Sequence, residues 1–410
     1  MNDPILEELV QRFKEYSAID TESDTTQKTV PSTAGQWTLA KLLLEQLNRM
    51  DLNDVHLDEN CVLTAHLPGS GAPVGFVAHL DTANVGLSGK VRCSEHLFDG
   101  DFDMGPGNRF RVSEHPEILP YMNERILFSD GTSVLGADNK AAVAVLMTML
   151  NKMSRRTNRP NIYVAFVPDE EIGLRGSKLL NLSRLPVRFA YTIDSCEIGE
   201  VVLETFNAAS ATLHVHGVTA HPMNAKDVLV NPILVAMTIV SKLDQNAVPE
   251  KTEGREGYIW VNGIQGGVSE CVLNLSIRDH DQRKFEDKKL LLTTAIQEAQ
   301  ELFPKAKVAL ELVDVYQNIA DCSNADSLTS KLIYQALEKA GIQPKTISMR
   351  GGTDGSALSA RGLYTPNYFT GALNFHSKYE FLPLSSFKKS FDVTWHIAEA
   401  CQHVVAPGSV

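Results

Sequence analysis

Gly75-Phe76-Val77-Ala78-His79-Leu80-Asp81-Thr82 is the stretch from which the rest of the chain can be read. Its apolar run has the character of a buried strand, and it leads without a turn into His-x-Asp. Residues two apart on an extended chain face the same side, so His79 and Asp81 can enter one site together. A metal-bound imidazole needs its other ring nitrogen fixed by a partner, and Asp81 is placed to do that. Taken alone, the pair reads more readily as a loop histidine beside a surface aspartate.

Working outward, Val62–Leu67, Asn161–Val167 and Phe189–Ile193 read as further strands. Gly35–Met50 and Lys140–Met153 read as helices, the latter carrying Ala141, Val145, Met149 and Leu150. Ile5, Leu9 and Phe13 mark an amphipathic helix near the N-terminus. Strands alternating with helices of this length predict an α/β fold: a mainly parallel sheet with helices on both faces. From about Asn207 the rhythm changes. Strands Ala211–His216, Tyr258–Ile264, Val272–Arg278 and Val308–Val315, with helices Pro232–Leu243 and Lys284–Phe303, give the order β-α-β-β-α-β. That is a split βαβ, ferredoxin-like α+β domain. Helix and strand signals resume at Asp326–Ala340, Pro366–Thr370 and Phe387–Val404. The expected organisation is therefore residues 1–206 with 320–410 as one domain, interrupted by a lid domain at 207–319.

The composition narrows the partners. A net charge of −12 without a basic cluster argues against nucleic acid and anionic membranes, and no apolar run is long enough to span a bilayer. Six scattered cysteines with no CxxC pair fit a reducing compartment, and the N-terminus lacks the pattern of a secretory signal. The expectation is a cytoplasmic protein.

Acids recur at predicted strand ends and helix starts. Asp138, in Leu135-Gly136-Ala137-Asp138, is by itself a good N-cap. Asp169-Glu170-Glu171 is a run of like charges that only solvent or a cation can relieve. Asp194 ends the strand Phe189–Ile193, and His376 lies in a loop. Open α/β sheets place their sites at the carboxyl ends of strands. Histidine, aspartate and glutamate without cysteine suit a catalytic metal pair rather than a structural zinc. Two metals roughly 3.5–4 Å apart need a bridging carboxylate, which accounts for an acid-rich set. Gly351–Ser356 lacks the spacing of a phosphate loop, and neither Gly-x-Ser-x-Gly nor His-Glu-x-x-His occurs.

His79-Leu80-Asp81, Leu135–Asp138, Pro168–Gly173, Tyr191–Asp194 and His376, in this order, resemble the M20 metallopeptidase family. Val30–Thr33 with Gly35–Trp37, Phe206–Ala209, Thr252–Gly254, Ile277–Asp279 and Arg350–Gly355 are similar to its tripeptide aminopeptidases. The resemblance covers nearly the whole chain. It implies two Zn²⁺ ions per subunit, with Co²⁺ or Mn²⁺ accepted by similar donors. His79, Asp138 and Asp194 would hold one ion, and Asp138, Glu171 and His376 the other, with Asp138 bridging. Asp81 would orient His79 and Glu170 would be the general base. His221 would contact substrate, with Arg278, Asn318 and Arg350 as weaker candidates for gripping the peptide. The implied activity is release of the N-terminal residue from short peptides, tripeptides above all, by an enzyme that pairs as a homodimer through the lid domain. Alternatives are a dipeptidase or N-acyl amino acid deacylase of the same family and, remotely, a non-catalytic binding protein on a peptidase scaffold. Two departures stand out. Asn139 replaces an aspartate common in the family, and Ser195-Cys196 replaces a small pair, which is expected to add bulk beside the metals.

Overall fold

The central strands of this chain are apolar on both faces because both faces are covered. In the strand Ser70–His79, Phe76 and Ala78 enter one hydrophobic core while Val77 enters another on the opposite side. The computed structural model describes residues Asp3–Val404, which divide into two compact units.

The first unit comprises the residues up to Leu203, then Cys322–Ile347 and those from Thr353 onward. It is built on an eight-stranded sheet in the order Asn53–Leu57, Leu63–Leu67, Pro160–Val167, Ser70–His79, Ala190–Ser195, Asn367–Phe369, Glu200–Thr205, Lys345–Met349. The four strands from Pro160–Val167 to Asn367–Phe369 run parallel. Antiparallel pairing begins on either side of them, at Leu63–Leu67 and at Glu200–Thr205. The sheet is thus mixed, with the expected parallel order confined to its centre. That centre brings the ends of Ser70–His79, Pro160–Val167 and Ala190–Ser195 to one edge.

The helix Ala137–Met153 is buried all round. It packs against the sheet and also against the helices Pro4–Ser17 and Leu384–Gln402, so no flank is left for water. An excursion that the sequence reading left unassigned lies between the first strands and this helix. Its strand Arg125–Phe128 pairs with Ser94–Leu97 on one side and with Phe381–Pro383 on the other, over an aromatic cluster of Phe98, Phe102, Phe110, Phe128, Tyr379 and Phe381.

The second unit comprises Glu204–Asp321 and Ser348–Gly352. Its antiparallel sheet has the order Tyr258–Gly266, Glu270–Asp279, Asn207–His216, Lys307–Tyr316. The helices Pro232–Ser241 and Gln282–Leu302 pack against its strands over a core of Leu213, Val235, Ile277, Leu292 and others. The returning segment Ser348–Gly352 groups with this unit because Arg350 is anchored there. Its guanidinium donates to Glu256 O at 2.8 Å and Thr252 Oγ1 at 2.7 Å and lies over Phe206 and Tyr258. Among the described residues no helix is long and apolar enough to cross a membrane.

Candidate metal centre

His79 closes its strand and is 1% exposed. Its Nδ1 lies 3.0 Å from Asp81 O and 3.3 Å from Asp81 Oδ1. Nε2 is left to face Asp138 Oδ1 at 3.0 Å and Asp194 Oδ1 at 3.6 Å. Asp81, fully buried, also accepts Glu170 N at 2.9 Å and Glu171 N at 3.1 Å. It therefore aligns the imidazole and the acidic turn together, a second task that the His-x-Asp spacing does not reveal.

The run Asp169-Glu170-Glu171 relieves its like charge by sending the side chains different ways. Asp169, in the left-handed region at φ 54, accepts Ser32 N at 2.8 Å, Ser32 Oγ at 2.6 Å and Gln36 Nε2 at 2.7 Å. The stretch around Ser32 and Gln36, singled out above only by resemblance, thus has a physical role as the anchor of this turn. Glu171 Oε1 lies 2.9 Å from His376 Nε2, and the same nitrogen is 3.1 Å from Asp138 Oδ2. Asp138 is not the helix cap that its sequence position suggests. Gly136 stands at the cap with φ 73, while Asp138 (φ −79, ψ 100) and Asn139 (φ −121, ψ 18) are off the helical path. A capping carboxylate would accept backbone N–H groups of the first turn; here each oxygen faces a different histidine.

Asn139 is more than a departure from a pattern. Its amide donates to Asp194 Oδ1 at 2.9 Å and Ile193 O at 2.7 Å, and its oxygen accepts His79 N at 3.2 Å. Ser195 is buried and its hydroxyl donates to Glu200 Oε2 at 2.6 Å. The Cys196 thiol is pushed up by burial and by the Glu200, Asp138 and Asp194 carboxylates, the opposite of what a nucleophile needs. Glu380, to which sequence reading gave no role, accepts Leu135 N and Gly136 N at 2.8 Å each and Asp138 N at 3.1 Å. The nearby signal was its place four residues after His376.

The electrostatics ask for a cation. Burial and the Asp138 carboxylate push Glu171 up to about 7 and Asp194 up to about 6. Burial, outweighing His79 and reinforced by Asp194, Asp354 and Glu171, pushes Glu170 well above the usual carboxylate range. Hydrogen bonding to Asp138 and Glu171 pushes His376 up to about 11. Contacts with Asp138, Asp194 and Asp81 raise His79 despite its burial. Burial works the other way on Asp138, but its two histidines hold it below the normal range. Among the described residues no lysine or arginine pairs with Asp138, Glu171 or Asp194 within ion-pair distance. Two donor triads, His79–Asp138–Asp194 and Asp138–Glu171–His376, each have ligand atoms within 4.8 Å of one another. This nitrogen and oxygen donor set fits a divalent metal of the zinc type.

The proton balance yields an expectation. Groups with raised pKa hold protons in the fold that the unfolded chain has released. Without a cation, the carboxylates among them make the fold less stable as pH rises from about 4 to about 7, with the histidines continuing the loss above their unfolded value. Metal must displace those protons. The rise in Tm on adding Zn²⁺ to metal-free protein is therefore expected to be greater at about pH 8 than at about pH 5.5. Equal or reversed gains in calorimetry would show that protons and metal do not compete here.

The other candidates belong to the second unit. Asn318 uses its amide internally, accepting Thr205 N at 2.8 Å and donating to His280 O at 3.0 Å. Arg278 donates to Ala209 O and Ile277 O, both at 2.9 Å. His221 is exposed, and its Nδ1 accepts Met223 N at 3.2 Å.

A doubly covered sheet with histidines and carboxylates at its strand ends, joined to a separate split βαβ unit, has the build of a metal-dependent peptidase. Residues 203–303 match the peptidase dimerisation domain of M20 enzymes, and residues 122–236 match the M42 glutamyl aminopeptidase family. A peptidase T-like protein of Yersinia pestis is 48% identical over 96% of this chain and 98% of its own. Peptidase T of Bacillus subtilis is 37% identical over 96% and 98%. The crystal structure of a tripeptidase from Staphylococcus aureus superposes with a TM-score of 0.78 at 22% identity, covering 97% of this chain and 98% of the other. The chain belongs to the peptidase T family of M20 metallopeptidases.

Proposed function

We propose that this chain is a two-ion metallopeptidase that removes the N-terminal residue from short peptides, tripeptides foremost. One observation carries the two-ion reading: the oxygens of Asp138 face different histidines, Oδ1 to His79 at 3.0 Å and Oδ2 to His376 at 3.1 Å. A single carboxylate is thus shared by two donor triads. Bound there, zinc or a similar divalent ion would polarise the scissile carbonyl and lower the pKa of a water toward neutrality.

The chain's own part centres on Glu170. It is 8% exposed, and its carboxyl has no hydrogen-bonding partner among the described residues. Its backbone N–H is fixed by Asp81, so the side chain is positioned without being neutralised. It takes the proton of the attacking water and returns it to the departing amine. Glu171, its neighbour, is spent on the donor triad. Of the second unit's candidates we assign peptide contact to His221, whose Nε2 remains uncommitted. We also assign homodimer formation to that unit, supported by Leu234 and Met237, exposed on Pro232–Ser241, and by Trp260 and Ile264, exposed on an edge strand. A cytoplasmic location agrees with six free cysteines.

Tripeptide preference rests on the family and is tested directly. Free di-, tri- and tetrapeptides, each with its N-acetylated counterpart, are expected to show cleavage of free tripeptides foremost. Acetylation is expected to lower kcat/KM at least about tenfold, because it removes a recognised charge. Equal cleavage of acetylated peptides would replace the aminopeptidase by a deacylase or a dipeptidase of broader scope.

A further inference from the structure

Glu380 is 1% exposed, and the structure gives its carboxyl no lysine or arginine partner among the described residues. It is held instead by three backbone N–H groups of one short loop, those of Leu135, Gly136 and Asp138. The loop needs such an acceptor. Gly136 is left-handed and Asp138 is off the helical path, so these N–H groups precede the regular helix and have no carbonyl of their own to reach. A buried N–H group left without an acceptor destabilises the fold. A carboxylate has two oxygens and no donor, which fits three converging N–H groups better than any neutral side chain.

The other end of Glu380 is equally fixed. Glu380 N donates to Ser377 O at 3.1 Å, closing the turn that directly follows His376. Phe381 exchanges backbone hydrogen bonds with Leu373 at 2.9 and 3.1 Å and stands opposite Phe128 in the three-stranded sheet. His376 itself sits at φ 58, a conformation that a non-glycine residue keeps only when its surroundings impose it. The segment carrying His376 and the loop carrying Asp138 are therefore tied through one buried carboxylate, backed by an aromatic platform.

We infer that Glu380 is a positioning residue that sets the distance between His376 and Asp138, and so fixes the affinity of the triad Asp138–Glu171–His376 for its ion. This rests on the two-ion reading above. Glu380→Gln keeps the shape but must turn an NH₂ group toward at least one of the three N–H donors. Removing partners of this kind typically costs 10–100-fold in metal affinity. Glu380→Asp keeps the charge on a shorter arm and should be affected in the same direction.

The test titrates metal-free wild type, Glu380→Gln and Glu380→Asp with Co²⁺ against a chelating indicator, following ion stoichiometry, Kd and the visible Co²⁺ spectrum. Wild type is expected to take two ions. In the variants, one of them should weaken roughly 10–100-fold with a changed spectrum, and excess metal should restore turnover. Circular dichroism confirms that each variant is folded. Variants that bind both ions within about twofold of wild type with an unchanged spectrum would overturn the role of Glu380 alone. Wild type binding no ion, or binding one, would overturn the two-ion reading instead.

Discussion

Glu170→Gln is expected to retain both ions and the fold while losing about 10²–10⁴-fold in kcat. Glutamine preserves volume and the backbone hydrogen bond to Asp81, at 2.9 Å in the native chain, but cannot accept and return a proton. The geometry also allows a rival assignment, since His79, Glu170 and Glu171 form a third group with ligand atoms within 4.8 Å of one another. The triads that share Asp138 are preferred because its two oxygens face the two histidines and because together they use every donor except Glu170. Elemental analysis separates the two. A Glu170→Gln protein that loses an ion makes Glu170 a ligand, and one that keeps most of its turnover removes it from proton transfer.

The second large effect is expected at Asp138. Asp138→Ala should lower bound metal from two ions per chain toward none and abolish turnover, whereas His376→Ala should lose one ion and retain the other. The difference follows from position: Asp138 faces both histidines, whereas His376, with its side chain 48% exposed, faces Asp138 and Glu171 alone among the described donors. Equal losses in the two variants would mean that Asp138 is not shared. Unchanged metal content in His376→Ala would take that histidine out of the donor set.

Most of the fold was legible because its strands are short apolar runs between turn signals and its helices keep their period. The strand ending at His79 and the alternation after Asn207 are clear cases. What escaped detection was set by contacts far apart in sequence. Nothing near Ala137–Met153 announces what encloses it: the run reads as a helix, and only the fold shows the sheet and two further helices closing round it. The strands at Ser94–Leu97 and Arg125–Phe128 are only four residues each and are completed by Phe381–Pro383, more than 250 positions later. The donors themselves stand out as acids and histidines at strand ends, helix starts and loops. Their supports do not. Asn139, Asp169 and Glu380 act through backbone groups of other segments, which no local pattern records, and Asp138 reads as a cap because the turn that spoils the capping geometry is visible only in three dimensions.

The interrupted first unit also sets a timetable. When Asp194 leaves the ribosome, four of the five donor side chains exist, but the strand Asn367–Phe369 that pairs beside Ala190–Ser195 does not. His376 follows 182 residues later, roughly 10–40 s at 5–20 residues per second. Throughout that interval the emerging chain carries a sheet with an open edge and an incomplete set of donors. On the two-ion reading, tight capture of the full complement of metal is then a late event, after the intervening unit has had time to fold.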